Sequence, residues 1–268
     1  MRLTHLSVPG LTYYQRAGSI QETLIQQHLH IKDRLDLRPG VQSPQWAESP
    51  LPTVLTAQFH PVYTFGRRNL RSVSDEQRRY LEDNGKATVV QAQRGGQLTF
   101  HGPGQLVAYP IIDLRRHYIR PRQYIRLLEE TVMAVCSRLG VEDVEVTDDP
   151  GIWMKGGQRK ICAVGVHIQR GITGHGIGLN VVDNNKSLSW GFGRIVACGL
   201  PGKEVTWLDR ERPKGKESLN VNDVASYFVN EFAVRLSGIH EIHHNAGSSF
   251  ESDTSKEPLG ISTQESAG

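Results

Sequence analysis

A chain of 268 residues with 38% hydrophobic and 22% charged side chains is long enough for one large domain or two small ones, and has the composition of a soluble globular protein. A formal net charge of +3 carries no mandate for nucleic acid, though a mildly basic surface favours an acidic protein partner by steering. Cysteines at only 136, 162 and 198, without metal-ligand spacing, argue against a disulfide framework, and no apolar run is long enough to span a bilayer.

Residues 2–8 alternate like a first strand. Arg2 and Arg16, with no acidic residue before position 20, resemble the composition of a mitochondrial transit peptide, but the strand pattern assigns this stretch to the fold. Residues 19–37 carry Ile20, Leu24, Ile31 and Leu35 at helical spacing. Residues 38–52, with four prolines, read as a surface insertion. A strand follows over 53–59, then a loop over 60–68 and a short helix over 75–84.

The next stretch is dense in special residues. Arg94-Gly95-Gly96-Gln97-Leu98-Thr99-Phe100-His101-Gly102-Pro103-Gly104-Gln105 holds four glycines in a dozen positions, between strands expected over 87–91 and 106–112. Glycine serves where the backbone takes positive φ or approaches a ligand closely, and flanking strands would hold the loop rigidly. A plain Gly/Pro-rich connection has the same appearance. Rossmann and Walker phosphate loops must open a helix, and neither fingerprint is present.

Residues 122–139 give the clearest helix, with Ile125, Leu128, Val132, Val135 and Leu139 on one stripe and Gly140 as its stop. Strands at 151–154, 160–168 and 174–182 follow, and a last helix covers 222–236. Cys136 and Cys162 fall among apolar residues and read as core. From 244 to 268 the chain is rich in Ser, Glu and Thr and reads as a disordered tail behind a single catalytic domain over 1–243. Helices interspersed with hairpin-connected strands predict an α+β fold, a mixed β-sheet flanked by helices.

Three kinds of side chain could carry chemistry. Cys198, in Ala197-Cys198-Gly199, sits among small, turn-forming residues; it is either an accessible nucleophile or a half-buried thiol without a role. A thiol with a free pKa of ~8.5 needs help to act as a nucleophile at neutral pH. Lys160, opening a strand beside Gly156-Gly157, could give it, or could be a solvated strand-end lysine. His101 and His175 adjoin glycines and could line a cleft or shape turns.

Taken together, the blocks resemble a known family. The loop at 94–105, Asp149-Pro150-Gly151-Ile152-Trp153, Lys160-Ile161-Cys162-Ala163-Val164-Gly165, His175-Gly176-Ile177-Gly178-Leu179-Asn180 and Ala197-Cys198-Gly199 are similar, in order, to the octanoyltransferases of lipoate biosynthesis. The resemblance spans roughly residues 3–232. It implies the catalytic fold shared with biotin and lipoate protein ligases, and no cofactor or metal. It implies that Cys198 carries an acyl thioester with Lys160 as its partner. Arg94, Gly95, Gly96, Gln97, Leu98, Thr99, Phe100, His101, Ala163, Val164, Gly165, Gly176, Ile177 and Gly178 would bind the acyl group, with Leu98, Val164 and Ile177 as apolar walls.

The implied donor is octanoyl-acyl carrier protein. The implied acceptors are lipoyl domains of 2-oxoacid dehydrogenase acyltransferase subunits and the glycine cleavage system H protein. The resemblance further implies a monomer, without nucleic acid or membrane. The insertion at 38–52 and the tail look like eukaryotic, fungal elaborations, which implies a mitochondrial address, or a cytoplasmic one in a bacterial source. An ATP-dependent lipoate- or biotin-type ligase would form an adenylate and not need Cys198. A non-catalytic acyl-binding scaffold would need the pocket alone, and a cysteine protease would need a histidine block that does not accompany Cys198.

Overall fold

The computed structural model describes residues 1–36, 49–67, 73–195 and 202–246. In chain order the elements are β1 (Arg2–Thr12), α1 (Tyr14–Asp36), β2 (Thr53–Phe59), β3 (Val62–Phe65), α2 (Asp75–Glu82), β4 (Thr88–Gln91), β5 (Thr99–His101), β6 (Gln105–Ile111), α3 (Pro121–Arg138), β7 (Val144–Val146), β8 (Ile152–Met154), β9 (Arg159–Gln169), β10 (Ile172–Asn180), α4 (Ser187–Phe192), β11 (Glu204–Val205), α5 (Leu208–Glu211), α6 (Val221–Arg235) and β12 (Glu241–Ala246).

Among these residues the strands form a mixed sheet in the order β12-β1-β2-β6-β10-β9-β8-β7, with β11 added against β9, and a smaller sheet β4-β3-β5. The β12-β1, β1-β2 and β11-β9 pairs are parallel, and the run from β2 through β6, β10, β9 and β8 to β7 is antiparallel. The expected α+β class is the one observed. No helix among the described residues is long and apolar enough to cross a membrane.

Helices α3 and α6 cover one face of the large sheet. Gln123 accepts from the Arg120 backbone N–H at 2.8 Å, satisfying the N-cap donor, and Pro121 opens α3 with its φ preset. Leu128, Val132 and Val135 of α3 then meet Val224, Phe228 and Phe232 of α6, all fully buried. Ile125, read as part of that stripe, is only partly buried.

Helix α1 covers the other face. Its buried positions are Tyr14, Ala17, Ile20, Gln21, Ile25, His28 and Leu29. The stripe therefore differs from the expected set at 20, 24, 31 and 35, because Gln21 and His28 occupy apolar-facing positions. Residues 60–68 were expected to be loop, but Val62–Phe65 is a buried strand. Its Val-Tyr-Thr-Phe composition favours a pleated strand. The alternation is hidden because Val62 joins the α1 core while Tyr63 and Phe65 join a third core with α2 and α4.

The chain also stays ordered beyond 243. His244, Asn245 and Ala246 continue β12 alongside β1, which corrects the expected start of the tail; residues 247–268 lie outside the described residues. The insertion expected over 38–52 lies outside them as far as position 48.

Leu128→Ala, at the centre of the α3–α6 contact, should lower unfolding free energy by about 2–5 kcal/mol in urea titrations, the usual cost of a large-to-small core change. A pH effect arises at the β1 edge. His5 lies between Thr56 Oγ1 at 2.8 Å and His244 Nδ1 at 3.0 Å, and burial, with a smaller contribution from His244, pushes its imidazole down to about 4. Protonation therefore favours the unfolded chain, so this contribution is complete above the unfolded value of about 6.5 and is lost as pH falls towards 4. The urea midpoint should begin to fall below pH 6.5, and less steeply in His5→Asn.

Candidate active site

Strands β9 and β10 pair through Ala163↔Gly178, Val164↔Ile177, Gly165↔Gly176 and Val166↔His175. The segment 94–99 passes over this ribbon, and a pocket of about 380 Å³ lies beneath it. Its lining includes Arg94, Gly95, Gly96, Gln97, Leu98, Thr99, His101, Ala163, Val164, Gly165, Gly176, Ile177, Gly178 and Lys160. The three expected apolar walls, Leu98, Val164 and Ile177, are among them. Small residues are needed here: a Cβ on Gly165 would come within 3.1 Å of Arg94 Cδ.

The roof is held by a buried arginine. Arg94 Nη2 donates to the Thr64 carbonyl and to Thr64 Oγ1, each at 2.7 Å, while Nη1 donates to the Gly95 carbonyl at 2.9 Å and the Gln97 carbonyl at 3.1 Å. The Gly95 N–H reaches the Val166 carbonyl at 3.1 Å, joining the roof to β9. Gly66 allows this approach, since a Cβ there would lie 1.9 Å from the Gly96 carbonyl oxygen.

Phe100 is the exception among the described binding candidates. It does not line the pocket but packs against Tyr63, Trp190 and Phe192, with ring centroids 5.0, 5.9 and 5.6 Å away. The physical reason is strand alternation: residues 99–101 form β5, which sends Thr99 and His101 to one face and Phe100 to the other.

Lys160 stands at one end of the pocket and is only 5% exposed. Its Nζ donates to the Pro150 carbonyl at 3.0 Å and lies 4.3 Å from the Trp153 ring centroid. Both contacts stabilise a buried ammonium. Gly151, at φ +125°, makes room for it; a Cβ would sit 2.5 Å from the Cys162 carbonyl oxygen and 3.4 Å from Lys160 Cε. The solvated strand-end alternative for Lys160 is thereby excluded.

A chain of hydrogen bonds connects the pocket to the segment beyond Cys198. His101 Nδ1 meets Gln105 Oε1 at 2.6 Å, Gln105 Nε2 donates to Asn180 Oδ1 at 2.8 Å, and Asn180 Nδ2 donates to the Thr206 carbonyl at 2.9 Å. The Thr206 N–H in turn reaches the Lys160 carbonyl at 2.9 Å. With its amide nitrogen committed to Asn180, Gln105 presents oxygen to His101 and so assigns the proton to Nδ1. Burial, and more weakly Arg94, pushes this imidazole down to about 4, so it is neutral near pH 7.

Cys198 lies outside the described residues. The other two thiols are unreactive core groups: burial pushes Cys136 up to about 12 and Cys162 well above the ordinary thiol range. Among the described residues no cluster of His, Cys, Asp or Glu side chains could hold a metal ion.

The chain matches the family model of the lipoyl protein ligase A/B catalytic domain over residues 42–233. It is 39% identical over 202 residues to the mitochondrial octanoyl-acyl-carrier-protein:protein N-octanoyltransferase of Danio rerio, covering 75% of this chain and 80% of that one. It is 33% identical over 276 residues to the mitochondrial octanoyltransferase of Saccharomyces cerevisiae, covering 88% and 82%. The chain belongs to the octanoyltransferase family.

Solved structures agree on the fold. A bi-partite lipoate protein ligase from Thermoplasma acidophilum superposes with a TM-score of 0.56 at 15% identity, over 91% of this chain and 85% of that one. A lipoate-protein ligase A bound with ATP gives 0.57 at 15% identity, over 91% and 87%. The octanoyltransferase is thus an acyltransferase enzyme on the lipoate-ligase catalytic fold.

Sequence reasoning missed several residues of the pocket. Tyr109, Ile125, Asp149, Pro150 and Val166 also line it, and Gln21 of α1 accepts from the His175 N–H at 2.6 Å. Asp149 and Pro150 stood in a motif block without a role, and a glutamine on an apolar helix face was the available signal for Gln21.

Arg94→Lys retains the charge but cannot make the divergent guanidinium contacts. It should lower kcat/KM for octanoyl transfer at least tenfold and raise amide hydrogen exchange selectively over residues 94–98, with the remaining sheet unchanged.

Proposed function

We propose that this octanoyltransferase takes the octanoyl group from the thioester of an acyl carrier protein and delivers it to a lysine amine of lipoyl domains, through a thioester on Cys198. The observation that carries the reading is the pocket itself: an apolar, glycine-floored slot that ends at a buried ammonium, Lys160. The slot suits a medium-length acyl chain, with each buried methylene contributing ~0.8 kcal/mol. The ammonium suits a sulfur nucleophile, because a nearby cation favours thiolate.

The chemistry balances without a cofactor. The Cys198 thiolate attacks the thioester carbonyl, the new C–S bond forms, the bond to the carrier's sulfur breaks, and the carrier leaves as a thiol with a proton taken from Lys160, which becomes a neutral amine. The acceptor lysine, as a neutral amine, then attacks the acyl-enzyme; a C–N bond forms, the bond to Cys198 breaks, and the amine proton must be taken up nearby. Lys160 serves both halves, stabilising the thiolate as ammonium in the first and accepting the amine proton as neutral amine in the second. Strand β11 pairs Val205 with Lys160 a few residues beyond Cys198, which supports the partnership. Backbone N–H groups of the glycine-rich segments are candidate donors to the tetrahedral oxyanion.

The printed name of the Danio rerio relative gives an acyl-carrier-protein donor and a protein acceptor, which supports this substrate pair. As acceptors we assign lipoyl domains of 2-oxoacid dehydrogenases and the glycine cleavage H protein. The mitochondrial relatives support a mitochondrial address, and we take the enzyme to be a monomer.

Intact-mass analysis after incubation with octanoyl-acyl carrier protein tests the reading. One octanoyl adduct should form on the wild type and none on Cys198→Ala, and Lys160→Met should slow its formation about 10²- to 10⁴-fold, the usual range for a lost acid–base group. Absence of an adduct, with acyl transfer appearing only when free octanoate and ATP are supplied, would establish the ligase chemistry instead.

A further inference from the structure

His175 stands at the end of the pocket away from Lys160, opposite Val166 on the β9-β10 ribbon. It is 5% exposed, and its backbone takes φ +54°, a left-handed conformation that costs energy for a side chain of this size. The conformation is held from behind by Gln21, which accepts the His175 N–H, and the imidazole packs edge-on to Tyr109 with centroids 5.2 Å apart. Its Nδ1 is buried with no hydrogen-bond partner among the described residues. A buried polar atom left unpaired in this way calls for a physical account.

We propose that His175 closes the acyl slot and sets its length, making it the residue that selects eight-carbon chains. The inference rests on the reading above that the acyl carbonyl sits at the Lys160 end. The part of β9 that lines the pocket without a break, from Ala163 to Val166, advances three residues, about 10 Å. That matches an extended eight-carbon chain, about 9 Å long when built from zigzag bonds of ~1.5 Å.

An apolar slot with an open end would favour ever longer chains, since each added methylene tightens binding about fourfold. Here the ninth and tenth carbons would meet the imidazole of His175, which Gln21 and Tyr109 hold in place, and would have to displace it. Burial, with a smaller effect from Arg94, pushes His175 down to about 3, so the ring meets the slot as a neutral imidazole near pH 7.

The test compares kcat/KM for C6, C8, C10 and C12 acyl-carrier substrates in the wild type, His175→Gly and His175→Asn. Both replacements tolerate left-handed φ, and thermal shifts with free octanoate and dodecanoate give a readout independent of catalysis. The Gly variant should raise the C12-to-C8 ratio at least tenfold and give the larger thermal shift with dodecanoate, with Asn intermediate. Equal loss at every chain length, or a ratio unchanged within twofold in both variants, would overturn the proposal and leave His175 a structural residue. A wild type that accepts no acyl-carrier substrate of any length would instead remove the transfer reading on which the proposal stands.

Discussion

Burying a guanidinium is costly unless its donors are met, and the acyl pocket is built around that requirement at Arg94. Because the charge sits beneath its own loop, the carbonyls of Gly95 and Gln97 must turn inward to meet it, and Thr64 must offer both its carbonyl and hydroxyl oxygens. The roof of the slot is therefore fixed by electrostatics instead of by regular secondary structure. The small sheet exists in part to present Thr64 at that position. Gly165 of the ribbon beneath follows from the same arrangement, since a Cβ there would crowd the arginine stem at 3.1 Å.

A second consequence concerns how the two ends of the site communicate. Strand β5 places His101 on the pocket and Phe100 in the aromatic cluster that also holds Trp190 and Phe192 of α4. From His101, amide side chains at 105 and 180 lead to Thr206 and back to the strand of Lys160. The elements on both sides of the segment containing Cys198 are thus tied to the acyl-binding wall, one through packed rings and the other through polarised amides. Such satisfied polar networks resist rearrangement, because breaking one link strands a buried donor or acceptor.

The sequence was readable where local chemistry and global role agreed. The α3 stripe, the strand at 53–59 and the glycine-rich block needed only periodicity and turn residues, and the family resemblance then assembled the pocket set. It misled where one residue served two surfaces. Phe100 shares a motif with pocket residues, but three-residue β5 turns it away. Gln21 and His28 look polar and so shifted the expected face of α1, yet Gln21 is buried to hold a backbone kink at His175. Strand β3 was invisible because each of its faces meets a different core, which erases the alternation. None of these can be recovered from spacing alone, since each depends on what packs from a distant part of the chain.

The parallel pairing of β12 with β1 has a bearing on solubility. Without it, β1 would end the large sheet and offer its backbone groups, beside Leu3 and Leu6, as a template for another chain. Its partner instead puts Glu241, His243, His244 and Asn245 on the outermost strand. Polar side chains on an edge disfavour strand addition. The six residues of β12 thus act as a selvedge, closing the sheet with a margin that does not invite further weaving.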